Sequence, residues 1–191
     1  MVTVGNEISP DPALIPAITK PIVLVGLMGA GKSAVGRRLA QRLGVPFNDA
    51  DLEIERAAGC TIEEIFERFG EAHFRDGERR VIARLLDQPV QVLATGGGAF
   101  MDPRTRALIG ERAVSVWLRA GLDLLVHRVA RRGNRPLLKR GEPREVLEQL
   151  MALRYPVYAE ADITVDSGEE PAEQMAGKVL QALRQHGEAM A

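Results

Sequence analysis

The glycine-rich segment at 26–33 is the clearest sign of chemistry in this chain. It reads Gly-Leu-Met-Gly-Ala-Gly-Lys-Ser and follows an apolar run at 21–25. This fits the P-loop pattern of glycine, four residues, then Gly-Lys-Ser. The pattern predicts a strand, a tight glycine turn and a helix beginning at Lys32, with backbone N–H groups converging on phosphate oxygens. The alternative is a flexible glycine turn without a ligand, which the strand before it and the helix after it disfavour.

The residue types of the P-loop predict separate roles in binding a nucleoside triphosphate. Lys32 is expected to reach the β- and γ-phosphates, and the Ser33 hydroxyl is expected to bind Mg²⁺. The predicted ATP contacts are Gly29, Ala30, Gly31, Lys32, Ser33 and Ala34.

Two carboxylates follow the next predicted strand, in Asn48-Asp49-Ala50-Asp51. Many P-loop enzymes hold their metal with an aspartate at the end of a neighbouring strand. The apolar strand near 90–95 carries no such aspartate. Asp49 and Asp51 can therefore divide the work, one facing the metal and its waters, the other an acceptor hydroxyl. Alternatively one of them caps the following helix, and capping and function can coexist.

Two further features indicate an anionic ligand. Gly96-Gly97-Gly98 follows a strand, which suggests a ligand pressed against backbone N–H groups, or else a hinge or tight turn. The segment from Arg128 to Arg144 holds seven basic residues and one acid, Glu142. In a chain of net charge −1, such a local segment suggests a small anion or a solvated basic loop.

Composition narrows the class of protein. A chain of 191 residues predicts one domain, and a balanced charge gives no reason to expect nucleic acid or a membrane as partner. The only cysteine, Cys60, allows no intramolecular disulfide, which fits a reducing cytoplasm. The three histidines lack metal-ligand spacing. No signal peptide is expected, and the proline-containing segment 1–19 is predicted to be a mobile extension outside the fold.

Apolar runs alternate with helical patterns from residue 20 onward, which predicts an α/β fold with helices on both faces of a mainly parallel sheet. The loops 26–33, 49–51 and 95–98 should then face one crevice at the carboxyl ends of the strands. Strands are predicted at 21–26, 46–48, 90–94, 113–118 and 162–165. Helices are predicted at 32–43, 51–58, 61–69, 74–87, 103–110, 121–131, 143–159 and 170–186.

Taken together, these pieces resemble the shikimate kinases over about residues 20–186. The likeness is carried by the P-loop, by Asp-Ala-Asp at 49–51, by Phe-Arg at 74–75 and by Gly-Gly-Gly-Ala at 96–99. Arg-Pro-Leu-Leu at 135–138 completes it, with Arg-Tyr-Pro-Val-Tyr at 154–158 behind. The resemblance implies a three-layer α/β/α P-loop kinase with a five-stranded parallel sheet in the order 2-3-1-4-5. It also implies a mobile lid at about 132–142.

The family's activity would be transfer of the γ-phosphoryl group of ATP to the 3-hydroxyl of shikimate, on the route to chorismate and the aromatic amino acids. The resemblance implies that Asp51 contacts the acceptor hydroxyl, Asp49 lies near Mg²⁺, Arg135 comes from the lid, and Arg131 or Arg132 flanks adenine. The implied catalytic residues are Lys32, Asp51 and Arg135. The implied substrate-binding residues are Asp51, Phe66, Phe74, Arg75, Gly96, Gly97, Gly98 and Arg154, with Glu78 orienting Arg75.

Two alternatives remain at this point. One is a kinase of the same fold that acts on gluconate, a nucleotide or another small acceptor, although Asp49, Asp51, Arg75 and Arg154 argue against a nucleotide acceptor. The other is a nucleotide-binding module without phosphotransfer, which would bind ATP without turnover. The protein is expected to be a monomer, and its expected substrates are shikimate and ATP.

Overall fold

A computed structural model describes residues 18–130 and 142–190 of the chain. Its strands form one five-stranded sheet in the order β2-β3-β1-β4-β5. The strands are β1 (Ile22–Val25), β2 (Phe47–Asp49), β3 (Val92–Ala94), β4 (Val114–Ala120) and β5 (Ile163–Ser167). The helices are α1 (Lys32–Leu43), α2 (Ala50–Ala58), α3 (Ile62–Leu86), α4 (Pro103–Arg112), α5 (Leu122–Ala130), α6 (Pro143–Tyr158) and α7 (Ala172–Met190), with a short 3₁₀ turn at Ala99–Met101.

Every strand pair in this sheet is parallel, and β1 lies at its centre. Ile22 is in register with Val92 of β3 on one side and with Val114 of β4 on the other. All four residues of β1 are buried, as expected for a strand covered on both faces. The parallel arrangement brings the carboxyl ends of β1, β2 and β3 to one edge, so the fold and the strand order expected from the resemblance are confirmed.

Local capping interactions set where several helices begin and end. α1 follows Gly31, with φ of 95°, and ends at Gly44, with φ of 66°, two conformations that favour glycine. The Thr61 side chain caps α3 together with Glu64 in a capping box, as the Thr-x-x-Glu pattern predicts.

The predicted gap between helices 61–69 and 74–87 is wrong. α3 continues through it, and Gly70 alone leaves helical geometry, with φ of 80° and ψ of 174°. The helix therefore has a kink at a single residue, Gly70. The 3₁₀ turn after the three glycines was not predicted.

Other differences concern element ends. β3 begins two residues later than predicted, at Val92, and β4 and β5 each run two residues further, to Ala120 and Ser167. The predicted lid 132–142 lies outside the described residues apart from Glu142, which precedes α6. Of the predicted extension 1–19, only residues 18 and 19 are described. Within the described part of the chain, no helix is long and apolar enough to cross a membrane.

Gly36 offers a test of how α1 packs on the sheet. A Cβ at this position would lie 2.6 Å from Cε2 of Phe47 and 3.2 Å from Cδ1 of Leu24. We expect Gly36→Val to lower the free energy of unfolding by about 1–3 kcal/mol through overpacking, measured by urea denaturation. Gly110→Ala in α4 is the control, because nothing lies within 4 Å of its added Cβ. That change should raise stability by roughly 0.5–1 kcal/mol through helix propensity. A Gly36→Val protein as stable as the parent would contradict the packing.

Candidate active site

In the P-loop between β1 and α1, the lysine side chain forms hydrogen bonds to the backbone of the same loop. Lys32 Nζ donates to the carbonyl oxygens of Gly26 at 2.7 Å and Leu27 at 2.9 Å. Gly26 has φ of 138°, and a Cβ there would lie 2.9 Å from the backbone oxygen of Leu118 in β4. A side chain at this position is therefore excluded by both conformation and space, which holds the start of the loop tightly against β4.

Asp49 and Ser33 meet at the edge of this loop. Ser33 Oγ donates to Asp49 Oδ2 at 2.7 Å, and the other oxygen of Asp49 accepts from the Asp51 backbone N–H at 3.2 Å. Asp49 is thus the N-cap of α2 and a partner of the P-loop serine at once. The capping interpretation is confirmed for Asp49, and its role toward a metal ion stays a prediction.

The three consecutive glycines after β3 are surrounded by charged side chains from three helices. A Cβ at Gly96 would lie 2.7 Å from Asp51 Oδ1, and a Cβ at Gly98 would overlap the guanidinium group of Arg75. At Gly97 the nearest atom would be Arg154 Nη1, at 3.4 Å. The turn is therefore a backbone surface on which these three predicted residues converge.

Glu78 forms an ion pair with Arg75 next to this turn. Its Oε2 lies 2.6 Å from Arg75 Nη1, and the residue is only 2% exposed. Burial raises the pKa of the Glu78 carboxyl, the Arg75 charge acts in the opposite direction, and the nearby Asp51 carboxylate adds a smaller upward effect. The ion pair holds the guanidinium in one orientation, as the sequence predicted.

Arg154, on α6, also contacts the turn. Its Nη1 donates to the Gly97 carbonyl oxygen at 3.0 Å. Its Nε is buried and has no hydrogen-bond partner among the described residues. A buried donor without a partner is unfavourable, so this atom is suited to an acceptor supplied by a ligand.

The two predicted aromatic residues lie next to each other. The rings of Phe66 and Phe74 are 4.6 Å apart, and the Arg75 guanidinium carbon lies 5.1 Å from the Phe74 ring centre. Phe74 is 5% exposed and Phe66 is 37% exposed. Phe74 also borders a cavity of about 530 Å³ between α2 and α3 whose lining includes no residue of the P-loop or the triple glycine.

The candidate active site is the smaller cleft between the P-loop and the triple-glycine turn. Its lining joins the three loops that the sequence predicted to face one crevice. The residues are Met28, Gly29, Gly31, Lys32, Ser33, Ala34, Asp49, Asp51, Thr95, Gly96 and Gly97. Of these two cavities in the described part of the chain, the cleft is the one that combines the glycine-rich backbone with a lysine and carboxylates, so we take it as the candidate site.

One arginine at the P-loop was missed by sequence reasoning. Arg128 Nη1 donates to the carbonyl oxygens of Gly29 and Ala30, both at 3.3 Å. Its Nη2 donates to the Gly168 carbonyl oxygen at 2.6 Å, which ties the loop to the segment after β5. Arg128 is the first residue of the basic segment at 128–144, and this position was the only indication of its role that the sequence offered.

The predicted Arg131, Arg132 and Arg135 lie outside the described residues.

Comparisons with known proteins agree with this geometry. A family model described as shikimate kinase matches residues 28–184. A shikimate kinase of Caulobacter vibrioides is 60% identical over 172 residues, covering 90% of this chain and 86% of that protein. One of Paramagnetospirillum magneticum is 59% identical, covering 90% and 88%. The structure of the shikimate kinase from Acinetobacter baumannii in complex with shikimate has a TM-score of 0.86 and 41% identity, covering 92% of this chain and 98% of that one.

The raised pKa of Glu78 predicts a pH dependence of stability. When the pKa of a carboxyl in the folded protein lies above its usual value of 4.5, the group contributes to the free energy of unfolding. This contribution is fully present at pH values below 4.5. The contribution is lost as pH rises through the folded pKa. We expect Glu78→Gln, which cannot ionise, to lack this loss when urea unfolding is measured from about pH 4 to about pH 7.

Glu64→Gln provides a control of opposite sign. Hydrogen bonds from the Thr61 backbone and side chain lower the pKa of Glu64, so its contribution is present above the usual value and is lost as pH falls. The Glu64→Gln variant should therefore differ from the parent in how its free energy of unfolding changes at acid pH. Parallel profiles for the Glu78→Gln variant and the parent would contradict the assignment to Glu78.

Proposed function

This chain belongs to the shikimate kinase family, and on that premise we propose how its site performs the reaction. The protein transfers the γ-phosphoryl group of ATP to the 3-hydroxyl of shikimate, giving shikimate 3-phosphate and ADP, a step toward chorismate and the aromatic amino acids. One observation carries the residue roles: Asp51, Arg75 and Arg154 converge on the Gly96–Gly98 turn, beside the P-loop.

In this proposal the two arginines hold the carboxylate of shikimate. A guanidinium group can pair with a carboxylate through two parallel hydrogen bonds, which lysine cannot do. Arg75 is held by Glu78, and Arg154 carries the buried Nε donor described above. A substrate carboxylate between them would supply the missing acceptor, while the backbone of Gly96–Gly98 and the rings of Phe66 and Phe74 enclose the substrate ring.

Asp51 is proposed to orient the 3-hydroxyl and to accept its proton. Its carboxylate oxygen lies so close to Gly96 that no side chain fits between them, which fixes the carboxylate at the junction of the nucleotide and substrate regions. Phosphoryl transfer passes through a loose transition state, so positioning of the acceptor supplies much of the catalysis. A carboxylate that aligns the hydroxyl with the γ-phosphate meets this requirement.

Lys32 supplies positive charge to the phosphates. Its present partners are the carbonyls of Gly26 and Leu27, at the mouth of the loop that would receive the nucleotide. Bound phosphate oxygens would compete for the ammonium group because they carry full negative charge. Arg135, outside the described residues, is proposed to add charge from the lid.

The oxygen donors of Ser33 and Asp49 fit Mg²⁺. Magnesium prefers hard oxygen ligands and binds through one or two protein groups together with phosphates and water. Ser33 Oγ and Asp49 Oδ2 are 2.7 Å apart, so both can face one ion. No group of three or more acidic, histidine or cysteine ligands occurs in the described part of the chain, which fits an ion shared with the nucleotide. When bound, Mg²⁺ would neutralise charge that develops on the β- and γ-phosphates.

Arg128 is added to the candidates for the arginine beside adenine. Its guanidinium group bridges the P-loop carbonyls and the Gly168 carbonyl. Arg131 and Arg132 remain predictions from the sequence. Alanine variants at the three positions, compared by their KM for ATP, would separate them.

The enzyme is further proposed to be a cytoplasmic monomer. The lone cysteine fits a reducing compartment. Light scattering of the purified protein and fractionation of cells that express it would test the two statements, and a dimer mass or a membrane-bound fraction would reject them.

The direct test is ADP release by the purified protein with MgATP, with and without shikimate. Gluconate and a nucleoside monophosphate serve as comparison acceptors. We expect turnover that requires shikimate, stops with excess EDTA and returns with Mg²⁺. ATP binding without shikimate-dependent ADP would reject the proposed function and favour a non-catalytic module, whereas turnover with gluconate alone would identify another small-molecule kinase.

Arg154→Lys tests the recognition of the acid. Lysine keeps the charge but loses the forked geometry, so we expect KM for shikimate to rise about 10- to 100-fold while KM for ATP changes little. Arg144→Lys is the matched control, since Arg144 lies on the same helix and pairs with Asp123 at 2.7 Å, away from the cleft. An unchanged KM for shikimate in the Arg154 variant would remove this arginine from the substrate site.

A further inference from the structure

We propose that Tyr158 is a positioning residue that holds the Gly97 carbonyl and thereby sets the triple-glycine turn against Arg154. The Tyr158 hydroxyl donates to the Gly97 carbonyl oxygen, the same atom that accepts from Arg154 Nη1 at 3.0 Å. The inference rests on the proposed function, because it concerns the part of the site assigned to shikimate.

The position of this hydroxyl is fixed by the packing of its ring. Tyr158 is fully buried, at 0% exposure, and ends α6 one turn after Arg154. Its ring centre lies 5.9 Å from that of Trp117 and 6.5 Å from that of Phe100. Residues four apart lie on the same face of a helix, so Tyr158 and Arg154 reach the turn as one rigid unit.

The Gly97 carbonyl needs such anchors because the glycine has no side chain to pack. Its two lone pairs are matched by the two donors from α6. The P-loop is also close, because a Cβ at Gly97 would lie 3.5 Å from the Gly26 carbonyl oxygen and 3.6 Å from the Met28 backbone nitrogen. The turn is therefore held between α6 and the P-loop, and a displacement of Gly97 would alter both the backbone offered to the substrate and the orientation of Arg154.

Two physical facts favour a persistent hydrogen bond. Burial raises the pKa of Tyr158 to about 12, so the hydroxyl remains protonated and able to donate at neutral pH. A buried hydroxyl that lost its acceptor would remain unsatisfied, which is unfavourable.

Tyr155 provides a matched comparison on the same helix. Its hydroxyl also donates to a backbone carbonyl, that of Ala120 at the end of β4, and its ring packs edge-on against Trp117 at 4.9 Å. The two tyrosines thus share an aromatic cluster and a type of hydrogen bond. Only Tyr158 bonds to the triple-glycine turn.

The experiment compares Tyr158→Phe with Tyr155→Phe, each of which removes one hydroxyl and keeps the ring. We expect Tyr158→Phe to raise KM for shikimate about tenfold, with KM for ATP changed by less than about twofold, because one anchor of the turn is lost. Tyr155→Phe should leave both constants near the parent values. Melting temperatures of the two variants report the structural effect that they share.

Direct binding gives a second readout. Trp117 is the only tryptophan of the chain and lies next to Tyr158, so its fluorescence can follow shikimate binding without ATP. The dissociation constant should rise with Tyr158→Phe by the same factor as KM. Combining Tyr158→Phe with Arg154→Lys should add less than the sum of the single effects, since both act on one carbonyl.

The outcomes separate this inference from the proposed function. A parent protein without shikimate-dependent turnover would overturn both. An active parent whose Tyr158→Phe variant keeps its KM and its dissociation constant for shikimate would overturn the role of Tyr158 alone. The same holds if both tyrosine variants change KM for shikimate and KM for ATP in parallel, because that result describes a general packing effect.

Discussion

The candidate site depends on the absence of side chains at Gly96–Gly98. Asp51 from α2 and Arg75 from α3 occupy the space that Cβ atoms at Gly96 and Gly98 would need, and Arg154 from α6 lies in contact distance of Gly97. Side chains at Gly96 and Gly98 would displace the charged groups that now approach the turn. The turn is thus the place at which three distant parts of the chain become one site.

The sheet order brings this turn to the P-loop. β3 pairs directly with β1, and both strands end at the same edge, so the glycine turn after β3 faces the phosphate-binding turn after β1. The close contact between Arg75 and the buried Glu78 then fixes the direction of the Arg75 guanidinium group. The strand order thus brings the glycine turn near the P-loop, and the ion pair with Glu78 orients the Arg75 guanidinium group.

Membership of the shikimate kinase family argues against the two alternatives, a kinase for another small acceptor and a nucleotide-binding module without phosphotransfer. The guanidinium groups of Arg75 and Arg154 at the turn are suited to a small acid, in keeping with a γ-phosphoryl acceptor that carries a carboxylate. The lysine, serine and aspartates around the P-loop are all present in the cleft, which argues against a module that has lost phosphotransfer. The wider cavity between α2 and α3 lacks these groups, so its size alone does not make it the site of the reaction.

The sequence by itself determined the parts that depend on near neighbours. The P-loop, the Thr61–Glu64 capping box and the alternation of strands and helices follow from patterns within a few residues, and the family's motifs indicated Asp51, Arg75 and Arg154. Only the tertiary structure decided contacts between distant positions. Arg128 binds carbonyls 98 and 99 residues earlier in the chain, and Tyr158 reaches a glycine 61 residues away. No local pattern encodes such contacts, because they exist only once the sheet has set the spacing between its loops.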